Sequence, residues 1–207
     1  SRATGAEDHV GLPDQRKFSP LFPSYRSILA DLLGLHYIVT GVPIEKIDPK
    51  VKPNDFKLIA HTHDGYIYEN PWPFDRVLFA TEAIGADFDR ILADGVWPDV
   101  NLNRTVLLQP PPTSEAQRRP GTARLVSYRN TDVVVEADSP DGGFVVLNDV
   151  WQPWWTAELN GRRVPLLRAN VLFRAVAVPP GKVRVRFKFR PLLGAWEQIT
   201  GKLGVPF

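Results

Sequence analysis

From Gly121 onward the chain alternates apolar and polar residues almost without a break, in segments 122–128, 131–137, 144–148, 155–159, 171–178 and 183–189. Successive side chains on a strand point to opposite faces, so a period of two builds strands with one face in a core and the other in water. The interruptions are turn signals: Asn130-Thr131, Asp141-Gly142-Gly143, Asn160-Gly161 and Pro180-Gly181. Short strands at such spacing predict an all-β antiparallel sandwich over 121–191, of jelly-roll or carbohydrate-binding-module-like type.

The preceding stretch mixes two periods. Ser24 is placed to cap a helix carrying Ile28, Leu29, Leu32 and Leu33 at helical spacing, and Gly34 to end it. A strand over 35–40 follows. Asp64-Gly65 suits the positive φ angles of a tight turn and predicts a hairpin between 56–62 and 66–69. Strands are expected at 76–80 and 104–108, with a helix near 87–93. This reads as a small α+β domain over 24–109. An extended arm, 1–23, precedes it, a Pro-rich linker, 110–120, joins it to the sandwich, and a tail, 192–207, ends the chain.

Composition narrows the chemistry. The 207 residues are 43% hydrophobic and 23% charged, which places the chain among globular domains rather than disordered or fibrous ones. No run of 18 apolar residues is long enough to span a bilayer as a helix, and no signal peptide opens the chain. The start at Ser1 and the lack of Met suggest a segment of a longer protein, with any anchor expected before Ser1. With no cysteine there is no disulfide framework, thiolate nucleophile or cysteine-based zinc site. Net charge is asymmetric: ten Lys and Arg against fifteen Asp and Glu in 1–100, then fifteen against eight in 101–207. The basic excess gathers between Arg162 and Arg190. Its plain reading is a solvated strand face, its sharper one an anionic partner such as a lipid headgroup layer or an acidic glycan. Nucleic acid is not expected, because the basic residues lack the aromatic interleaving of such modules.

Candidate sites are few. His61 and His63 lie two apart and could share a face with Asp64 toward a metal, but without a third histidine nearby they read as exposed hairpin residues. Asp87 and Asp89, at the start of a predicted helix, read as caps rather than as an acid/base pair. No nucleophile elbow, phosphate loop, dinucleotide fingerprint or zinc-helix motif is present, so no catalytic residue, metal site or cofactor is assigned. The run 147–161 holds Trp151, Trp154 and Trp155. Indoles stack on sugar rings, so Trp151 and Trp154 are taken as a candidate carbohydrate platform. Asp149, Gln152 and Asn170 would supply its hydrogen bonds, and Arg168 and Arg174 would attract anionic groups. Trp155, pointing to the opposite strand face, is expected in the core.

The same region carries a resemblance. Leu147-Asn148-Asp149, Pro153, Trp155, the Asn160-Gly161 turn, Pro165, Arg168-Ala169-Asn170, Phe173-Arg174-Ala175-Val176, Pro179-Pro180-Gly181 and 187–191 together resemble the C-terminal extracytoplasmic region of the bacterial YfhO-type membrane protein family. Looser agreement extends the likeness back to residue 28. Where relatives commonly have Pro-Gly-Trp, this chain has Pro153-Trp154-Trp155.

The family resembles polytopic, GT-C-like glycosyltransferases that use lipid-linked sugars at the outer membrane face. The resemblance therefore implies an extracytoplasmic, membrane-tethered domain, non-catalytic by itself, that helps to bind a glycan or polymer acceptor. Its partners would be the membrane-embedded part of the same polypeptide and an envelope glycan or anionic lipid surface. The alternative is a purely structural or interaction domain with no ligand.

Overall fold

A computed structural model describes residues 18–110 and 118–191. Most of the expected arm, the centre of the expected linker and all of the 192–207 tail lie outside those residues. The chain divides into two compact units, one comprising Ser1–Arg76 and Phe88–Trp97 and the other Val77–Asp87 and Pro98–Phe207.

In the first unit, helix α1 (Ile28–Leu32) buries Leu29, Ala30 and Leu32. Its cap is Ser27, whose Oγ accepts from the Ala30 N–H at 3.4 Å. The expected cap, Ser24, is used elsewhere: its hydroxyl donates to Asp48 Oδ2 at 2.7 Å, and the Tyr25 N–H donates to the same oxygen at 2.7 Å. Capping requires an oxygen three residues before the amide it serves, and Ser27 has that spacing. Gly34 ends the helix at φ +67°, as expected.

Strands β1 (Tyr37–Thr40), β2 (Lys57–Thr62) and β3 (Gly65–Glu69) form an antiparallel sheet in the order β1-β3-β2. A short helix α2 (Ile44–Ile47) sits between β1 and β2 in the chain, and α3 (Phe88–Asp94) completes the unit. The β2–β3 hairpin forms where expected, but its turn is His63-Asp64, and Gly65 opens β3 without a positive φ. Gly65 is needed for space, since a Cβ there would lie 2.5 Å from the Thr40 carbonyl oxygen. His63 is thus on the turn rather than the strand, while His61 stacks on Tyr66 with ring centroids 4.2 Å apart.

The second unit consists of two sheets. Its strands are β4 (Val77–Ala80), β5 (Glu82–Gly85), β6 (Thr105–Leu108), β7 (Thr122–Arg129), β8 (Asp132–Ser139), β9 (Gly143–Leu147), β10 (Trp155–Leu159), β11 (Arg162–Val164), β12 (Leu167–Ala169), β13 (Phe173–Val178) and β14 (Gly181–Phe189). A five-stranded sheet runs β11-β10-β14-β8-β7 and a six-stranded sheet β4-β9-β13-β12-β6-β5. Val133, Val135, Val185 and Phe187 of the first sheet share one apolar core with Val145, Leu147, Val176 and Val178 of the second. That is the β-sandwich the alternation predicts.

The expected domain boundaries change. β4, β5 and β6, assigned from sequence to the 24–109 domain, hydrogen-bond into the six-stranded sheet: β4 to β9, and β6 to β12 with β5 beside it. Each of these short segments buries apolar side chains, yet nothing local identifies the neighbouring strand. The β5–β6 pair is parallel, so the sandwich is not wholly antiparallel. At the end of the expected linker, the Arg118 guanidinium donates to the Thr81 carbonyl at 3.2 Å and Arg119 pairs with Asp141 at 2.8 Å, so these residues dock on the sandwich. The Arg119 hydrogen bonds hold the Asp141 carboxyl down at about 2.

Two measurements check these packing statements. Gly65→Ala forces a Cβ onto the Thr40 carbonyl and should cost about 1–3 kcal/mol in a urea melt. Burial raises the Asp31 carboxyl above its ordinary 3.8, against the lowering by Asn70 and Arg26. A raised acid pKa means that the folded state holds its proton longer than the unfolded one, so Asp31 takes away stability as pH rises from 3.8 through its folded value. The stability of Asp31→Asn relative to wild type should therefore improve with pH across that interval; a pH-independent difference would contradict it.

Candidate functional site

The tryptophan-rich run is the arch that carries the chain from β9 in the six-stranded sheet to β10 in the five-stranded sheet. Its fastening is Arg174. On β13 the residues 174, 176 and 178 face the sandwich interior, and Arg174 stands opposite Leu147 at the end of that row. Arg174 is 1% exposed. Its guanidinium lies over the Trp155 ring at 3.7 Å from the centroid, donates to Asp149 Oδ2 at 2.9 Å and donates to the Val150 carbonyl at 3.2 Å. The Tyr128 hydroxyl, from β7, lies 3.1 and 3.2 Å from the two Asp149 oxygens. Burial pulls the Arg174 pKa down from its ordinary value, and the nearby Asp149 carboxylate and Tyr128 pull it back up. Arginine remains charged under such a shift, so the cluster is a desolvated ion pair with a cation–π face.

Backbone hydrogen bonds complete the arch. The Trp151 N–H donates to the Leu172 carbonyl at 2.6 Å, and the Trp155 N–H donates to the Gln152 carbonyl at 3.2 Å. Trp155 packs against the sandwich core and tilts on Phe189 with centroids 5.3 Å apart. It is half-buried rather than fully interior, although Arg174 covers one face of its ring. Trp154 packs on Phe189 at 6.2 Å, with its Nε1 buried and unpartnered among the described residues.

Arg168-Ala169-Asn170 serves a second structural purpose. Asn170 is fully buried and continues the ladder to Leu107: its side-chain Oδ1 accepts from the Leu107 N–H at 2.9 Å and its backbone N–H donates to the Leu107 carbonyl at 3.0 Å, while its Nδ2 is unpartnered among the described residues. The β12–β13 turn runs through positive φ at Asn170 (45°) and Val171 (69°), a strained conformation for a β-branched residue. Arg168 Nε donates to the Val171 carbonyl at 2.8 Å and holds that turn.

The expected carbohydrate platform is therefore divided. Asn170 and Arg174 are buried, with Asn170 Oδ1 in the ladder to Leu107 and the Arg174 guanidinium in the arch, so neither reaches the surface. Asp149 is largely buried in the same ion pair, and Arg168 is half-buried on the turn. Trp151 and Trp154 remain half-buried and Gln152 exposed on the arch. Tyr128 escaped sequence reasoning altogether. A signal for Arg174 was present: it is the one charged residue in 171–178, at an inward position of an otherwise apolar strand.

The other polar surface of the unit is the outer face of the five-stranded sheet. Inward Val183, Val185 and Phe187 leave Lys182, Arg184, Arg186 and Lys188 pointing outward on β14, beside Asp132, Glu136 and Asp138 on β8. Arg186 pairs with Asp132, whose carboxyl these hydrogen bonds hold below its ordinary range, and Arg124 pairs with Glu136. Lys188 reaches Glu158 at 2.8 Å. Among the described residues no group of three or more His, Cys, Asp or Glu is placed to hold a metal, and no helix is long and apolar enough to cross a membrane.

In comparisons with known proteins, no family model matches the chain, and no curated protein or solved structure matches it either.

Removing one partner of the lock leaves the other charge buried. Asp149→Ala should lower the unfolding free energy by about 3–5 kcal/mol, whereas Arg174→Met combined with Asp149→Ala should lose less than Asp149→Ala alone. Urea melts of the two single variants and the double variant form the cycle; additive losses would mean that the pair is not coupled.

Proposed function

We propose that this chain is an extracytoplasmic accessory module of a YfhO-type membrane protein related to envelope glycosyltransferases. It carries no catalysis of its own and helps to hold a glycan or polymer acceptor near the membrane-embedded part of the same polypeptide. The sandwich would be of jelly-roll or carbohydrate-binding-module-like type, tethered to the outer face of the membrane.

The observation that supports this reading is the arch: Trp151, Gln152 and Trp154 keep accessible surface on a loop that the Arg174 lock holds rigid. An aromatic platform gains affinity when its rings are fixed before the ligand arrives, because little side-chain freedom is then lost on binding. Gln152, exposed and between Trp151 and Trp154 in the sequence, supplies the hydrogen-bonding group that a sugar hydroxyl needs. The alternative, an interaction domain that packs on the membrane-embedded part without a ligand, draws support from the same lock, which commits Asp149, Asn170 and Arg174 to the fold.

Titration calorimetry with envelope oligosaccharides separates the two. Under the accessory reading, Trp151→Ala weakens binding at least tenfold, about 1.4 kcal/mol, while leaving the melting temperature within a few degrees of wild type. Absence of binding in both proteins favours the interaction domain. Protease added to intact spheroplasts should cleave the domain from the full-length protein; protection from protease would overturn the extracytoplasmic placement.

A further inference from the structure

We propose that the outer face of the five-stranded sheet is a binding site for an anionic polysaccharide, centred on Arg184. This site is separate from the arch and does not depend on it. Two depressions meet at Arg184. The larger, of about 600 Å3, is lined by Arg124, Glu136, Asp138, Asn160 and Lys182 together with Arg184. The smaller, of about 290 Å3, is lined by Arg129, Asp132 and Arg186, again together with Arg184.

Charge on this face is unevenly spent. Arg124, Arg186 and Lys188 are each committed to a carboxylate. Arg184 and Lys182 form no ion pair among the described residues, although both point outward on β14. The Arg184 backbone is fixed by its neighbours: its N–H donates to Asn160 Oδ1 at 2.8 Å, and its carbonyl accepts from the Asn160 N–H at 2.9 Å. Two unspent cations two residues apart on one strand lie about 7 Å from each other and point the same way. They can grip one anionic group together or two successive ones along a chain.

The acids select the class of ligand. Glu136 and Asp138 stand across the ladder from Arg184 and Lys182, so a ligand bound there meets hydrogen-bond acceptors beside cations. Sugar hydroxyls donate to carboxylates while a uronate or phosphate group pairs with the guanidinium, and an acidic polysaccharide carries both in each repeat. A sheet of lipid phosphates would face those same carboxylates with like charge. Val134, which faces outward on β8, is 6% exposed and offers nothing to insert among acyl chains; exposed Leu125 and Val126 lie on the edge strand β7.

The test titrates polygalacturonate against the wild-type chain, against Arg184→Gln with Lys182→Gln, and against Lys52→Gln, a surface change in the other unit. Neutral dextran and vesicles containing anionic phospholipid are run alongside. The expected result is polygalacturonate binding that weakens as salt rises, falls at least tenfold in the double variant and is unchanged in Lys52→Gln, with dextran inert. Unchanged affinity in the double variant, equal binding of dextran, vesicle binding without polygalacturonate binding, or no binding at all would each overturn the proposal. Trp151→Ala distinguishes the two surfaces: the site centred on Arg184 predicts no effect of that change on polygalacturonate affinity, whichever way the arch reading turns out.

Discussion

The contact on which the second unit depends is the buried guanidinium of Arg174. A sandwich is held mainly by apolar burial between its sheets, which is strong but non-directional. Burial alone leaves the ends of the two sheets and the arch between them free to settle in more than one way. Arg174 removes that freedom, because a planar fork with a stacked aromatic face satisfies only one arrangement of Asp149, Val150 and Trp155. Tyr128 brings β7, the edge strand of the five-stranded sheet, to the same carboxylate. One cation thus joins a strand of one sheet to two strands of the other and to the arch.

Such a lock has an energetic logic of its own. Desolvating an arginine is unfavourable, and the ion pair and cation–π stack offset that cost rather than add a large surplus. What the arrangement contributes is geometry. The strained turn at Asn170 and Val171 works in the same way: an unfavourable backbone is held by directed hydrogen bonds to Leu107 and from Arg168. Both devices are built from residues between Asp149 and Arg174, apart from Leu107 and Tyr128.

Much of the architecture was legible in the chain. The alternating segments after Gly121 became β7, β8, β9, β10, β13 and β14 because a half-buried strand must alternate, and Asn160-Gly161 turned where expected because both residues tolerate positive φ, at 49° and 81°. The three-residue strands β11 and β12 were missed, being too short for any period to register. The four-residue strand β5 was not expected either, and the domain boundary was missed for another reason: β4 and β6 read as strands of the nearer domain, and pairing across many residues leaves no local trace. The candidate site fared unevenly. Trp151, Gln152 and Trp154 kept accessible surface, while Asn170 and Arg174 turned inward.

By itself, then, the sequence determined the period of its strands, the places where they turn and the β-rich class of the second unit, all of which follow from interactions within a few residues. Only the tertiary structure decided which strands share a sheet, that most of the polar residues around the tryptophans serve the fold, and that Arg184 and Lys182 point outward with no ion pair among the described residues. Those outcomes depend on partners brought together from distant parts of the chain, as Arg174 meets Asp149 and Tyr128, and no local pattern records such a meeting.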